Sequence, residues 1–127
     1  MNLQISGFPA NLYLEQVTIP AGTAVSEPIA TQGMALVGII MPGTWTAAAL
    51  GFKACVSGNP SNLLPVYDSG GNPITCLAST SRYIAFPMTD AMFGPYLQIA
   101  SVTTATVTAV NQVAEAVILL LFRRYLN

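Results

Sequence analysis

Residues 116–126 read AVILLLFRRYL, and the way this run folds decides the class of the whole chain. As a helix entered from Thr108, it places Val110, Val113, Ala114, Val117 and Leu121 on one face. As a strand, it sends Val117, Leu119 and Leu121 one way and Ile118, Leu120 and Phe122 the other, because successive strand side chains point to opposite faces. Both faces are then apolar, which suits a strand held between a core and a neighbour. The other apolar runs all read as β, and a lone closing helix fits beside them less well. The run is therefore read as a strand.

Working outward, nine prolines and ten glycines are spread along the chain and argue against long helices. LYLEQVTI (12–19) stops at Pro20, and TAVSEPIA (23–30) contains Pro28, which restricts it to a sheet edge. MALVGIIM (34–41) is apolar throughout and reads as a strand buried on both faces. GFKACVS (51–57) sets Phe52, Ala54 and Val56 opposite Lys53 and Cys55. LLPVYD (63–68) and PITCLA (73–78) flank Ser69-Gly70-Gly71-Asn72, a hairpin signal, since residues that tolerate positive φ close such a turn without strain. RYIAFP (82–87) and PYLQIAS (95–101) follow, joined by MTDAMFG (88–94), which reads as one helical turn. Eight or nine short strands at a spacing of about ten residues predict an all-β fold, an antiparallel β-sandwich of jelly-roll-like form. No linker or internal repeat divides the chain. Residues 17–127 are read as a single sandwich domain, and residues 1–16 as an N-terminal arm or first edge strand.

Composition narrows the function. The chain has 127 residues, of which 53% are hydrophobic and 7% charged, against about 25% charged in an ordinary soluble domain. Glu15, Glu27, Asp68, Asp90 and Glu115 face Lys53, Arg82, Arg123 and Arg124, for a net charge of −1. A domain of this size leaves roughly a third of its unfolded-chain surface in water, and so few charges cover it thinly. The simplest resolution is that other subunits cover much of that surface. Lipid is not the expected cover: a spanning helix needs about 20 apolar residues, and neither MALVGIIM nor AVILLLF reaches that length. MNLQISGFPAN lacks the basic start and apolar stretch of a signal peptide. The expected site of synthesis is a cytoplasm, where Cys55 and Cys76 read as small buried hydrophobes.

Catalysis is disfavoured by what the chain lacks. There is no histidine, which removes Ser-His-Asp and Cys-His arrangements and His-based metal sites. The carboxylates are scattered, and Asp68-Ser-Gly-Gly-Asn72 lacks the alternating ligands and terminal Glu of a calcium loop, so it reads as a turn. The expectation is a non-enzyme with no metal and no cofactor. Four basic residues neutralise few phosphates, so nucleic acid is not an expected partner. Arg123 and Arg124 read as interface hydrogen-bonders or as a cap on the last strand. Trp45 follows a Pro-Gly turn and precedes TAAAL (46–50), read as one helical turn, so Trp45 is expected to plug one end of the sandwich. An interface anchor and a sugar-stacking platform are its other readings.

The ordered series TIPAGTAVSEPIATQGMALVGIIMPGTW (18–45), TAAALGFKACVSG (46–58), VYDSGGNPI (66–74), RYIAF (82–86), PYLQIAS (95–101) and NQVAEAVILLLFRR (111–124) resembles a family of small virion structural proteins of tailed bacteriophages. The chain departs from that family at Ser101-Val102-Thr103, where a Ser-Gly-Thr is usual, and at Glu115, where an Arg is common. Both positions bear on partner contacts more than on fold. The resemblance implies a capsid cement or decoration protein on the outer surface of the virion. It would oligomerise, as a trimer at threefold points, and bridge major capsid subunits. The contacts would fall on the arm and the closing strand, with Leu12, Tyr13, Leu14, Trp45, Phe122, Arg123, Arg124 and Tyr125 as the interface candidates. The alternatives are a carbohydrate- or receptor-binding module of a head or tail fibre, using Trp45 and the tyrosines, and a neck or tail structural protein.

Overall fold

The computed structural model describes residues 2–3, 11–55, 62–85, 95–104 and 106–124. Ten strands follow one another: β1 (Asn2–Leu3), β2 (Leu12–Ile19), β3 (Ile29–Ala30), β4 (Ala35–Ile40), β5 (Ala49–Cys55), β6 (Leu64–Pro65), β7 (Thr75–Leu77), β8 (Tyr83–Ala85), β9 (Tyr96–Val102) and β10 (Ala116–Arg123). Two antiparallel sheets face each other. One has the order β1-β2-β10-β4-β8; the other runs β3-β9-β5-β6, with β7 also on β5.

The register explains why β6 and β7 share a neighbour. Lys53 and Ala54 of β5 pair with Pro65 and Leu64, while Ala49, Leu50 and Gly51 pair with Leu77, Cys76 and Thr75. Between them the Val66 N–H donates to the Phe52 carbonyl at 2.9 Å. β6 and β7 are thus one edge strand in two collinear pieces, and residues 67–74 are a loop extruded from it. The Gly-Gly hairpin read from sequence is present, with Tyr67 bridged to Pro73. Its two arms were expected to pair along their length. Instead they part and continue along β5. The Asp68 Oδ1 accepts the N–H groups of Gly70 and Asn72, both at 2.9 Å, and Gly71 takes a φ of 86°. The carboxylate therefore serves the turn.

With β6 and β7 joined, the pairs β2·β10, β3·β9, β4·β8 and β5·β6/β7 nest inside one another. The chain is one long antiparallel hairpin wound into two sheets, the jelly roll. The strand reading of 116–126 holds through Arg123: Ala116, Ile118, Leu120 and Phe122 point inward and are at most 2% exposed. They meet Val17, Ile19, Leu36, Ile39, Leu50, Phe52, Leu97 and Ile99 in a single apolar core.

Three expectations are corrected. The boundary at residue 16 falls inside β2, which pairs with β10 along its whole length and with β1 at Leu14 and Glu15, so residues 12–16 belong to the sandwich and are not an arm. Thr46 to Ala48 form no helical turn, and Ala49 and Leu50 already belong to β5. The reason is that Thr46 has both backbone groups taken by the side chain of Gln112. The helical turn read in 88–94 lies outside the described residues. Cys76 stands opposite Leu50, and Cys55 is five residues further along β5, about 17 Å away at 3.4 Å per residue. The two cannot be joined to each other, since a disulfide needs Cα atoms within about 7 Å.

Candidate interaction surface

The outward side of β10 carries Val117, Leu119, Leu121 and Arg123, the residues that alternate with the core row. Side chains directly opposite in a ladder share a face, so the register extends the surface across the sheet. On β2, Thr18, Gln16, Leu14 and Leu12 lie opposite these four in turn. On β4, Ile40 lies opposite Leu119 and Gly38 opposite Leu121. On β8, Tyr83 and Ala85 lie opposite Ile40 and Gly38. The resulting face holds Leu12, Leu14, Ile40, Tyr83, Val117, Leu119 and Leu121, with the polar Gln16 and Thr18 on its β2 side. Arg123, at one corner, is its one charged side chain among the described residues of these strands.

An outer face of this kind is unusual, because an antiparallel sheet with one face on the core ordinarily turns polar residues to water on the other. Tyr83 is 59% and Val117 37% exposed. Leu12, Ile40, Leu119 and Leu121 are half-buried. Gly38 has a local reason: a Cβ there would stand 2.5 Å from the Tyr83 Oη, so the ring lies on the bare backbone of β4.

The opposite sheet is treated differently. Its outer face also carries small apolar residues, Ala49, Ala100 and Val102, but the protein covers these itself with Val25 and Val107. Val107 sits at a φ of 54°, a strained conformation for a β-branched residue. The segment is held by Val107 N–H donating to the Thr103 carbonyl and by hydroxyl contacts linking Thr103, Thr106 and Thr108. That cluster is covered by the chain itself, although Leu77, opposite Ala49 on the same sheet, is 78% exposed; among the described residues no comparable segment crosses the β2-β10-β4-β8 face.

The interface candidates read from the sequence divide by strand parity. Leu12, Leu14 and Arg123 lie on the bare face, although Leu14 is only 8% exposed. Phe122 is a correction: it points inward, is 2% exposed and presents nothing to a partner. Tyr13, opposite Phe122, packs on the core from one end. The Arg124 guanidinium lies 4.9 Å from the Tyr13 ring centroid and donates to its hydroxyl. This is the capping role, and it keeps Arg124 within its own chain. Trp45 is half-buried against the core, and its Nε1–H donates to the Ala48 carbonyl at 3.2 Å. Its one ring donor is thereby engaged within its own chain. Tyr125 lies outside the described residues. The sequence reading missed Ile40 and Tyr83, which only the β4–β8 register brings beside β10; for Val117, Leu119 and Leu121 the signal was present in the alternation of β10.

Among the described residues, no group of three or more Cys, Asp or Glu stands close enough to hold a metal ion. No helix among them is long and apolar enough to cross a membrane. Comparison with protein-family models, with curated proteins and with solved structures found no match to this chain.

Proposed function

We propose that this protein is a structural component of a tailed-phage particle: a capsid cement or decoration protein that associates with copies of itself and bridges neighbouring major capsid subunits. The observation that carries the reading is the largely apolar outer face of the β1-β2-β10-β4-β8 sheet, in a chain with 7% charged residues. A surface of this composition is unfavourable in water and favourable under a partner. Apolar burial is scarcely screened by salt, whereas surface ion pairs are. A lattice protein that must stay bound as ionic strength changes is served by the first. At about 25 cal/mol per Å², a contact hiding 800 Å² per partner and 60% apolar contributes on the order of 20 kcal/mol gross, before ordering costs.

Jelly rolls occur in viral capsid and lectin domains alike, so the fold alone does not choose between a cement protein and a glycan-binding module. The surface favours the former. Sugar sites need polar groups converging beside an aromatic platform, while the polar Gln16 and Thr18 of this face lie on β2, three strands from Tyr83 on β8, and the Trp45 Nε1–H is engaged with its own chain. The test is made on particles. Heads lacking this protein should release DNA at lower temperature or on osmotic shock, and intact heads should carry it in hundreds of copies. Heads of unchanged robustness, or a dozen copies or fewer, would refute the proposal.

A further inference from the structure

The outward row of β10, extended by the residue before it, reads Glu115, Val117, Leu119, Leu121, Arg123. A carboxylate opens the row, three aliphatic side chains fill it and a guanidinium closes it. Turned end for end about Leu119, the row sets Glu115 against Arg123, Val117 against Leu121 and Leu119 against itself. We propose that this sheet face is a twofold homodimer interface. In it, β10 of one copy lies antiparallel across β10 of a second copy, and Glu115 and Arg123 pair between copies at both ends.

Placement, size and charge support this occupant. Glu115 is exposed at the end of β10 remote from Arg123; it lines a cleft that holds Gln16 and Thr18 of the outer face and reaches Glu15 and, at the other sheet, Glu27 and Ile29. Eight residues each of β2 and β10, six of β4 and three of β8, at about 3.4 Å rise and about 4.8 Å spacing, give a face of roughly 400 Å² per copy. The pair hides about 800 Å², the size of a weak, reversible contact. Packed sheets stand about 10 Å apart, a gap that leucines fill from both sides at the centre and that long Glu and Arg side chains span at the rim. Apolar centre and charged rim are the anatomy of a protein interface.

The self-matching order of the row also fixes the symmetry. A patch that complements itself closes under a twofold, whereas a threefold ring needs two different patches on each copy. The pair therefore replaces the trimer that the sequence resemblance implies. The inference rests on the self-association in the reading above and not on capsid attachment, so the two fail separately.

The test is sedimentation velocity on the purified full-length chain. The wild type is expected to sediment as a dimer, and Leu119→Glu as a monomer with unchanged circular dichroism. Charge exchange at the rim, which leaves the packed centre untouched, supplies an arm independent of any effect of Leu119→Glu on folding. Glu115→Arg and Arg123→Glu should each raise the dimer Kd about tenfold at low salt, and the double exchange should restore it to within about threefold. A wild-type chain that is monomeric at about 100 µM, a trimer mass, or a double exchange no tighter than either single one would overturn the proposal. If the wild type is monomeric and Leu119→Glu abolishes binding to particles, the proposal also falls and the face belongs to the shell.

Discussion

Gln112 offers the sharpest quantitative test of how the sandwich is held closed. It is wholly buried at one end of the molecule. Its Oε1 accepts the Thr46 N–H at 2.8 Å, and its Nε2 donates to the Thr46 carbonyl at 3.1 Å and to Ser101 Oγ at 2.9 Å. Its backbone N–H donates to the Thr23 carbonyl, and its carbonyl accepts the Gly22 N–H. One side chain and one peptide unit thereby fasten the loops after β2 and β4 to the segment entering β10. Gln112→Leu keeps the volume and removes all three side-chain hydrogen bonds. An amide group orphaned in a dry site costs about 1–3 kcal/mol, and the half-buried position of Thr46 puts both of its groups in the lower part of that range. Ser101 keeps its bond to the Val110 carbonyl. The added apolar burial offsets about 1 kcal/mol. The net loss is about 1–3 kcal/mol, a fall in Tm of roughly 4–11 °C for a chain of this size. Urea unfolding followed by circular dichroism measures it. Gln112→Glu should lose more than Gln112→Leu at pH 7, because a carboxylate oxygen would face the Thr46 carbonyl. A loss under about 0.5 kcal/mol for Gln112→Leu, with unchanged m-value, would refute the clamp.

Burial raises the Cys76 thiol from its ordinary 9.0 to about 11. The unfolded chain therefore loses this proton first, so stability should fall as pH rises from about 9 toward 11, and Cys76→Ala should flatten that slope in pH-dependent melts. In the extruded loop, Gly71→Ala should cost about 1–2 kcal/mol, because its φ of 86° suits only glycine while nothing crowds a Cβ there. Gly70→Ala meets only ordinary contacts at 3.4 and 3.5 Å and should stay within about 0.5 kcal/mol in the same thermal melts. Equal losses at the two positions would show that the turn geometry is misassigned.

The fold was legible wherever a signal is local. Alternation in β10, the prolines bounding β2 and β4, and the Gly-Gly turn depend on neighbours in sequence, and they led to strands and a hairpin at the right places. Partners were not legible. Nothing near Thr46 indicates that a glutamine 66 residues away captures its backbone, and so the alanines that follow read as helical. Likewise the turn at 69–72 announces itself, but only the β5 register shows that its arms extend one edge strand. For the surface, choosing Leu12, Tyr13 and Leu14 as a block ignored parity: in a strand such a triplet divides between core and exterior. Tyr83 joins the face through β4, a pairing across more than 40 residues that no period in the sequence encodes.

The position of β10 has a consequence for how the protein is made. It is the last strand of the sandwich in sequence order, yet it lies in the middle of its sheet, between β2 and β4. Until β10 has been synthesised, β2 and β4 have no common neighbour and the interior lacks Ile118, Leu120 and Phe122. The sandwich can therefore close only after its last strand has emerged, by contacts between residues about a hundred positions apart, which is a slow route to a folded state.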